Sequence, residues 1–278
     1  MNRLSNLRSN NRPPGCELPL GLMIGRQRQK SVELRPLEGD AQLKLLDLDP
    51  RQPRERLVSK TLALVVRRIG VLENPSSDVL HRLALADRHA IIRAWLIGSG
   101  THELSATADC ADCCRRLDLS LDLVSVQLPK VPTSGMVGLV RSDATGRIRQ
   151  RLRLPDPALI EQAQDEFGLL AACLGCAREA AQPWVEAAEK ALSRYDPLGH
   201  ISIVGRCPDC NGHIEAEIDL AHRWLLALKR TSDALVEDIH LLASRYHWTE
   251  AEVLRLPDSR RQLYLELCGN VTVGMFDM

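Results

Sequence analysis

The sequence predicts an α+β fold in which a β core is split by an α/β insertion and followed by a C-terminal helical tail. Three observations carry this reading: two CxxC pairs embedded in matching strand patterns, a hairpin-and-helix pattern between them, and sustained helical periodicity after the second pair. Cys110-Ala111-Asp112-Cys113 and Cys207-Pro208-Asp209-Cys210 stand 97 residues apart. The same offset sets Leu117 on Ile214, Asp118 on Glu215, Leu121 on Ile218, Asp122 on Asp219 and Leu123 on Leu220. Residues 103–107 and 200–204, just ahead of the pairs, alternate in polarity with the period of a half-buried strand. Each half reads strand, knuckle, strand. Two knuckles giving two thiolates each close a tetrahedral site, so Cys110, Cys113, Cys207 and Cys210 are the expected ligands of one structural zinc per chain. The β core is then zinc-ribbon-like, with residues 114–206 inserted.

The other reading of such cysteines is a set of buried free thiols acting as small hydrophobes. Pro208, Asn211 and Gly212 around the second pair favour a tight turn about a metal. Cys114 stands where Asn211 follows the second pair, a spare thiol able to compete for the ion. Cys173 and Cys176 form a third CxxC inside a helical run, where i and i+3 share a face and core packing is the expected role.

A chain of 278 residues with 45% hydrophobic and 26% charged residues has the length and composition of a globular protein with more than one core. Lys plus Arg and Asp plus Glu number 36 each, a balance with no pull toward nucleic acid or an anionic membrane. Aromatic residues make up only 3%, which leaves few rings for stacking on bases. Nine cysteines fit a reducing cytoplasm with thiolates on metal. A secretory leader is not expected, because the apolar stretch at residues 18–24 is short, holds Pro19 and follows Glu17. No run approaches the roughly eighteen apolar residues that cross a bilayer.

Residues 1–30 carry Arg3, Arg8, Arg12, Arg26, Arg28 and Lys30 against Glu17. They read as a flexible basic arm, either an anchor onto an acidic partner or a solvated terminus. Residues 31–100 read as a mainly helical segment: Leu57, Leu62, Val65, Val66 and Ile69 recur at helical spacing, and residues 87–97 form a helix stopped by Gly98. The split ribbon takes residues 101–128 and 198–222.

The insertion, residues 129–197, opens on a stiff proline-rich linker and continues in a hairpin over 136–141 and 147–154. On its second strand Ile148, Gln150, Leu152 and Leu154 share one face and Arg149, Arg151 and Arg153 the other. Those guanidinium forks suit carboxylates or phosphates, or simply face solvent. Asp156 with Pro157, and Gln182 with Pro183, read as helix starts. The C-terminal helical module covers 223–268. Its features are helices at 219–229 and 233–246, a capping box from Thr249 to Glu252, an interruption at Pro257, and a last helix ending near Cys268. Tyr246, Trp248, Leu254, Leu263, Tyr264 and Leu267 supply its small core.

Catalytic signatures are missing: the sequence holds no HExxH, GxxxxGK[ST], GxSxG or GxGxxG. His240 and His247 lie two helical turns apart without a carboxylate motif beside them. A zinc held by four thiolates keeps no position open for water, so no enzyme, no catalytic residue and no further cofactor are expected.

The run Ile239-His240-Leu241-Leu242-Ala243-Ser244-Arg245-Tyr246-His247-Trp248-Thr249-Glu250-Ala251-Glu252-Val253-Leu254, followed by Leu256-Pro257-Asp258-Ser259-Arg260-Arg261-Gln262-Leu263-Tyr264-Leu265-Glu266-Leu267, resembles the base-plate protein family of T-even-type contractile bacteriophages. Members of that family also occur in prophages and phage-tail-like contractile injection systems. The resemblance extends through both knuckles, the Ile218-Asp219-Leu220 exit and the Glu33-Leu34-Arg35-Pro36-Leu37 opening, about residues 31–268. It implies a structural or assembly component of a base plate, acting by protein–protein contacts with other base-plate or hub proteins. Such a component is cytoplasmic or incorporated into the particle, with no membrane partner and with nucleic acid disfavoured. Its oligomeric state is left open. Cys114 and the residues before 31 depart from the family pattern.

Two alternatives stand beside this reading. One is a zinc-ribbon nucleic-acid-binding protein using the arm with Arg149, Arg151 and Arg153. The other is an unrecognised enzyme using a Cys114 thiolate beside the metal. Within the C-terminal module, Arg245, Arg260 and Arg261 beside Tyr246, Trp248 and Tyr264 are the expected docking surface, since arginine and large aromatics dominate interface energies. The competing use of those rings is the module's own core.

Overall fold

A computed structural model of the protein describes residues 15–273 apart from positions 38, 133, 144 and 145, and describes the backbone alone at 143, 258 and 269–273. The chain mixes helix and sheet and divides into two compact units, Met1–Pro36 with Arg51–Trp224, and Leu37–Pro50 with Leu225–Met278. Among the described residues no helix is long and apolar enough to cross a membrane.

The chain opens with strands β1 (Gly15–Ile24) and β2 (Gln27–Leu34), then helices α1 (Asp40–Leu46) and α2 (Arg54–Val65). Strands β3 (Val66–Ile69) and β4 (Leu72–Glu73) and helices α3 (Ser77–Leu80) and α4 (Leu85–Gly98) follow. The four strands form one antiparallel sheet in the order β1-β2-β3-β4, and α4 packs on β1. Leu18, Val32, Leu34, Leu62, Val65, Val66, Ile69, Leu80, Ile91 and Ile92 are buried in this part.

Two expectations are corrected here. Of the arm expected at residues 1–30, positions 1–14 lie outside the described residues, while 15–30 form paired strands. The reason is an alternation of Cys16, Leu18, Leu20 and Leu22 that Pro19 and Gly21 obscure. The register jumps between Glu17 and Leu22, so four residues bulge opposite Lys30. A residue without an N–H and a glycine at φ 87° suit such a bulge. Any Cβ at Gly21 would lie 2.6 Å from the Gln29 carbonyl oxygen. The basic side chains expected in solvent are turned to this loop: Arg28 donates to the Gly21 carbonyl at 2.9 Å and Lys30 to that of Pro19 at 3.0 Å.

The second correction is at Val65, where the helical pattern of the 57–69 run stops and strand begins. The β-branched Val65-Val66 step favours extended backbone, and Arg35 holds the junction beside β2 through its N–H to the Val65 oxygen at 2.8 Å and its guanidinium to the Val66 oxygen at 2.7 Å.

Strands β5 (Glu103–Asp109) and β6 (Arg116–Asp122) form a hairpin, as do β7 (Met136–Asp143) and β8 (Gly146–Arg153). After them come α5 (Pro157–Gln162), α6 (Glu166–Leu174), α7 (Arg178–Ala181), a 3-10 turn at Gln182–Trp184 and α8 (Val185–Tyr195). The inward residues Val137, Leu139, Leu152 and Leu154 of the second hairpin pack with Ala171, Cys173, Leu174, Trp184 and Ala188 in one core. Asp156 caps α5 by accepting from the Leu159 N–H at 3.0 Å, with Pro157 in the first turn. Cys173 belongs to this core, and burial pushes its thiol up to about 11. A third hairpin, β9 (Ile201–Arg206) with β10 (His213–Ile218), closes the first unit's strands.

Helix α9 (Leu220–Tyr246) is continuous where the sequence suggested a break near Thr231. Both hydroxylic residues there fit the helix: Thr231 donates to the Ala227 carbonyl at 3.0 Å, and Ser232 is buried. In the second unit α10 (Glu250–Leu254) starts at the Thr249–Glu252 capping box, both halves of which are formed. The last helix, α11 (Asp258–Val273), continues through Gly269. Leu235, Ile239, Leu242, Val253 and Cys268 make the module's core, with Leu43, Tyr246, Trp248 and Tyr264 packed against it.

Candidate metal centre

Two hairpins with the same register carry the cysteines. In the first, Asp109 pairs with Arg116 and Leu104 with Leu121. The residues 97 further on pair identically, Arg206 with His213 and Ile201 with Ile218. The turns match bond for bond. In the first knuckle the Cys110 N–H donates to the Arg115 carbonyl at 2.9 Å and the Cys114 N–H to that of Cys110 at 2.9 Å. In the second, Cys207 donates to Gly212 at 2.9 Å and Asn211 to Cys207 at 2.8 Å. Each turn closes on a left-handed residue, Cys114 at φ 58° and Asn211 at φ 61°.

These turns bring the four expected thiols together. The sulfurs of Cys110, Cys113, Cys207 and Cys210 all lie within 4.8 Å of one another, with Cys110 to Cys210 and Cys113 to Cys207 at 3.5 Å. A tetrahedron with metal–sulfur bonds of about 2.3 Å has edges of about 3.8 Å, so this donor set fits a four-coordinate ion with sub-ångström adjustment. Cys110 and Cys207 are buried and the other two exposed. N–H groups of Cys210 and Asp209 point at the Cys207 sulfur and pull its pKa down to about 7. The Gly212 N–H acts the same way on Cys210, but the crowding thiols of Cys110, Cys113 and Cys207 push it up to about 12. Four sulfurs this close cannot all ionise without a cation among them. Arg115 of one knuckle pairs with Asp209 of the other, a further tie across the site.

Cys114 stands apart from the four. It is exposed and occupies the left-handed corner that Asn211 fills in the second knuckle. Its place is set by the turn, and a non-glycine residue there carries a backbone cost. Replacing it is expected to stabilise the protein: Cys114→Gly should raise unfolding free energy by about 1 kcal/mol and leave metal content unchanged. Urea melts with metal analysis check both, and loss of metal from this variant would make Cys114 a ligand. Gly212 is constrained differently. A Cβ there would sit 3.2 Å from the Cys110 sulfur and closer still to the Asp112 carboxylate.

Three side-chain groups escaped the sequence reading. Ser59, His81 and Glu161 stand in a serine–histidine–carboxylate order, with Ser59 Oγ 2.9 Å from His81 Nδ1 and His81 Nε2 3.4 Å from Glu161. The hydroxyl proton, however, is given to the Glu55 carbonyl at 2.7 Å, and Ser59 Oγ accepts from Arg88 at 3.2 Å. A hydroxyl whose proton is committed to its own helix is not activated by the imidazole, so this group is a staple between α2, α3 and α5. Arg88, 1% exposed, also pairs with Glu55.

A cavity of about 700 Å³ is lined by Glu55, Arg88, His89, His200, Glu217 and the starts of α2, α4 and α9. Its charges are matched within the chain: Arg54 pairs with Asp219, Arg88 with Glu55, and His200 with Glu217 at 3.7 Å. His89 Nδ1 meets Asp196 at 2.8 Å. The third group is Asp87, a fully buried carboxylate that accepts from the N–H groups of Leu20 at 2.7 Å and Gly21 at 2.9 Å.

The docking surface expected in the C-terminal module is redrawn. Arg261 is 6% exposed and faces Asp238 at 3.8 Å, so it is a core residue and not part of a rim. Tyr246 stacks on Trp248 at 4.7 Å, and Tyr264 stands edge-on to both. The rings are engaged with one another, while Leu263 and Leu267 of α11 are exposed. No family model matches the chain, and no curated protein or solved structure shows significant similarity to it.

Proposed function

We propose that the ion is zinc, that it staples a split zinc ribbon, and that the protein serves as a structural or assembly component of a contractile phage tail or phage-like injection-system base plate. The observation that carries the metal part is the closed set of four thiolates on two matching knuckles. Tetrahedral all-sulfur sites select zinc or iron, and a shell without an open position supports a folding role over hydrolysis. The base-plate part rests on the C-terminal resemblance. Its residues Leu242, Tyr246, Trp248, Val253 and Tyr264 are the ones that build the module's core, which supports a shared architecture in this segment. A protein of this kind works through contacts with other base-plate or hub proteins.

Deletion of the chain from cells that produce contractile particles tests the reading. Sheath and tube proteins should accumulate without complete base plates in electron micrographs, and tagged full-length protein should capture base-plate or hub subunits from producing cells. Normal particles in the deletion strain would remove the base-plate reading. Elemental analysis should give one zinc per chain, and stoichiometric iron would overturn the choice of metal.

A further inference from the structure

The outer face of the β7–β8 hairpin carries a row of arginines that neither the metal centre nor the C-terminal module uses. Register places Arg147 opposite Ser142, Arg149 opposite Val140, Arg151 opposite Gly138 and Arg153 opposite Met136. All four arginines are exposed, whereas Ile148, Gln150 and Leu152 between them turn inward. Arg153 pairs with Asp156; no carboxylate among the described residues pairs with Arg147, Arg149 or Arg151. Like charges repeating at about 6.8 Å along a strand repel, because the screening length at physiological salt is about 8 Å. Among the described residues only Asp156, beside Arg153, offsets that repulsion.

The facing row is small at its centre, Met136 at its end apart. A Cβ on Gly138 would touch nothing within 4 Å, and Val140 is 54% exposed. Small neighbours leave the guanidinium groups room to lie across β7 and leave one apolar contact, Val140, in the middle of the charged row. The face is held rigid from behind, since Val137, Leu139 and Leu152 are locked into the core with Trp184 and Ala188. A rigid strand presenting the forks of Arg147, Arg149 and Arg151 at a fixed repeat loses little conformational freedom on binding.

We propose that this face is a docking surface for an extended acidic segment of a partner protein, with Asp or Glu at alternate positions. An extended strand repeats its side chains every second residue with the same spacing of about 6.8 Å, so successive carboxylates fall opposite successive guanidiniums and accept paired N–H bonds. Intervening side chains on that segment point away from the hairpin. A phosphate polymer is the less suited occupant, because this face offers no aromatic ring for base stacking among its described residues. The inference is independent of the base-plate reading, because it concerns a different surface and is tested with a synthetic ligand.

The test uses the full-length protein and fluorescence anisotropy with three labelled probes: an alternating Glu-Val heptapeptide, an isomer of the same composition with its glutamates in one block, and a short single-stranded DNA. The alternating peptide should bind several-fold tighter than the blocked isomer, and its affinity should fall about tenfold between about 50 and 300 mM salt. Arg149→Glu with Arg151→Glu should weaken it at least about tenfold without lowering the melting temperature, since both side chains are exposed. If that variant does not fold, Arg149→Gln with Arg151→Gln makes the same comparison. Absent peptide binding, equal affinity of variant and native protein, or equal affinity for both isomers would overturn the proposal. Tighter binding of the DNA through the same arginines would replace the acidic segment with a phosphate polymer.

Discussion

Cys207→Ser is expected to release the metal and unfold the two knuckle hairpins. Structural zinc sites of this type contribute on the order of 10 kcal/mol at neutral pH, more than the net stability of most domains. The dependence should be strong at the knuckle ends of the hairpins, where little besides the cysteines is buried, whereas Leu104, Ala106, Ile201, Ala216 and Ile218 are buried further along the strands. The buried cluster at that end consists of Cys110, Cys207 and Ile214, with Ala108, Leu117 and Leu119 packed against it, so two of its three members are expected ligands. Each hairpin is a two-stranded sheet, and such pairs are marginal in water on their own. Removing Cys207 also removes the sulfur whose ionisation the Cys210 and Asp209 N–H groups favour.

Cys173→Ser is the matched control. That sulfur sits in the core of the insertion, where a hydroxyl costs about 1–3 kcal/mol, and metal content should not change. Metal analysis and thermal melts of the two variants distinguish the sites. Metal retained by Cys207→Ser and lost by Cys173→Ser would reverse the ligand set.

The four cysteines were legible because a thiolate site needs fixed spacing, a turn and flanking strands, and all three leave local marks in the chain. The same holds for the Thr249–Glu252 capping box and the Asp156-Pro157 helix start, where one turn of backbone contains the whole interaction. What the sequence hid are features whose partners are remote. The bulge at residues 18–21 is read as a loop until Asp87 appears beneath it, and the strand beginning at Val66 is set by Arg35, the residue after β2. Arg261 resembles any surface arginine in sequence, because only the fold brings Asp238 to it. Cys114 looked like a spare ligand since spacing alone does not reveal the sign of φ. Left-handed geometry at the equivalent Asn211 shows that this position serves the turn.

Asp87→Ala is expected to cost about 3 kcal/mol, because it leaves the buried Gly21 N–H and the part-buried Leu20 N–H without their acceptor. The carboxylate lies in the first turn of α4 but spends its oxygens on the β1 bulge, joining helix to sheet. Burial pushes it up from the ordinary 3.8 to about 6; the Leu20 and Gly21 N–H groups, with Lys30 and Arg28, pull the other way without cancelling the burial. A raised value means that the native state holds this proton more tightly than the unfolded chain. Its contribution is therefore fully present below about pH 4 and is lost as pH rises through about 6, a swing of about 3 kcal/mol at 1.4 kcal/mol per pH unit. Exposed acids such as Asp165, Asp209 and Glu252 are held below their ordinary range and act in the opposite sense as pH falls. The difference between native protein and Asp87→Asn removes them, since they are common to both. Denaturant melts from pH 7 to pH 4 should show native protein gaining on Asp87→Asn as acid is added, by about 2 kcal/mol over the interval. A difference that stays flat across that range would place the Asp87 carboxylate in a hydrated setting and leave the bulge to be held by Lys30 and Arg28 alone.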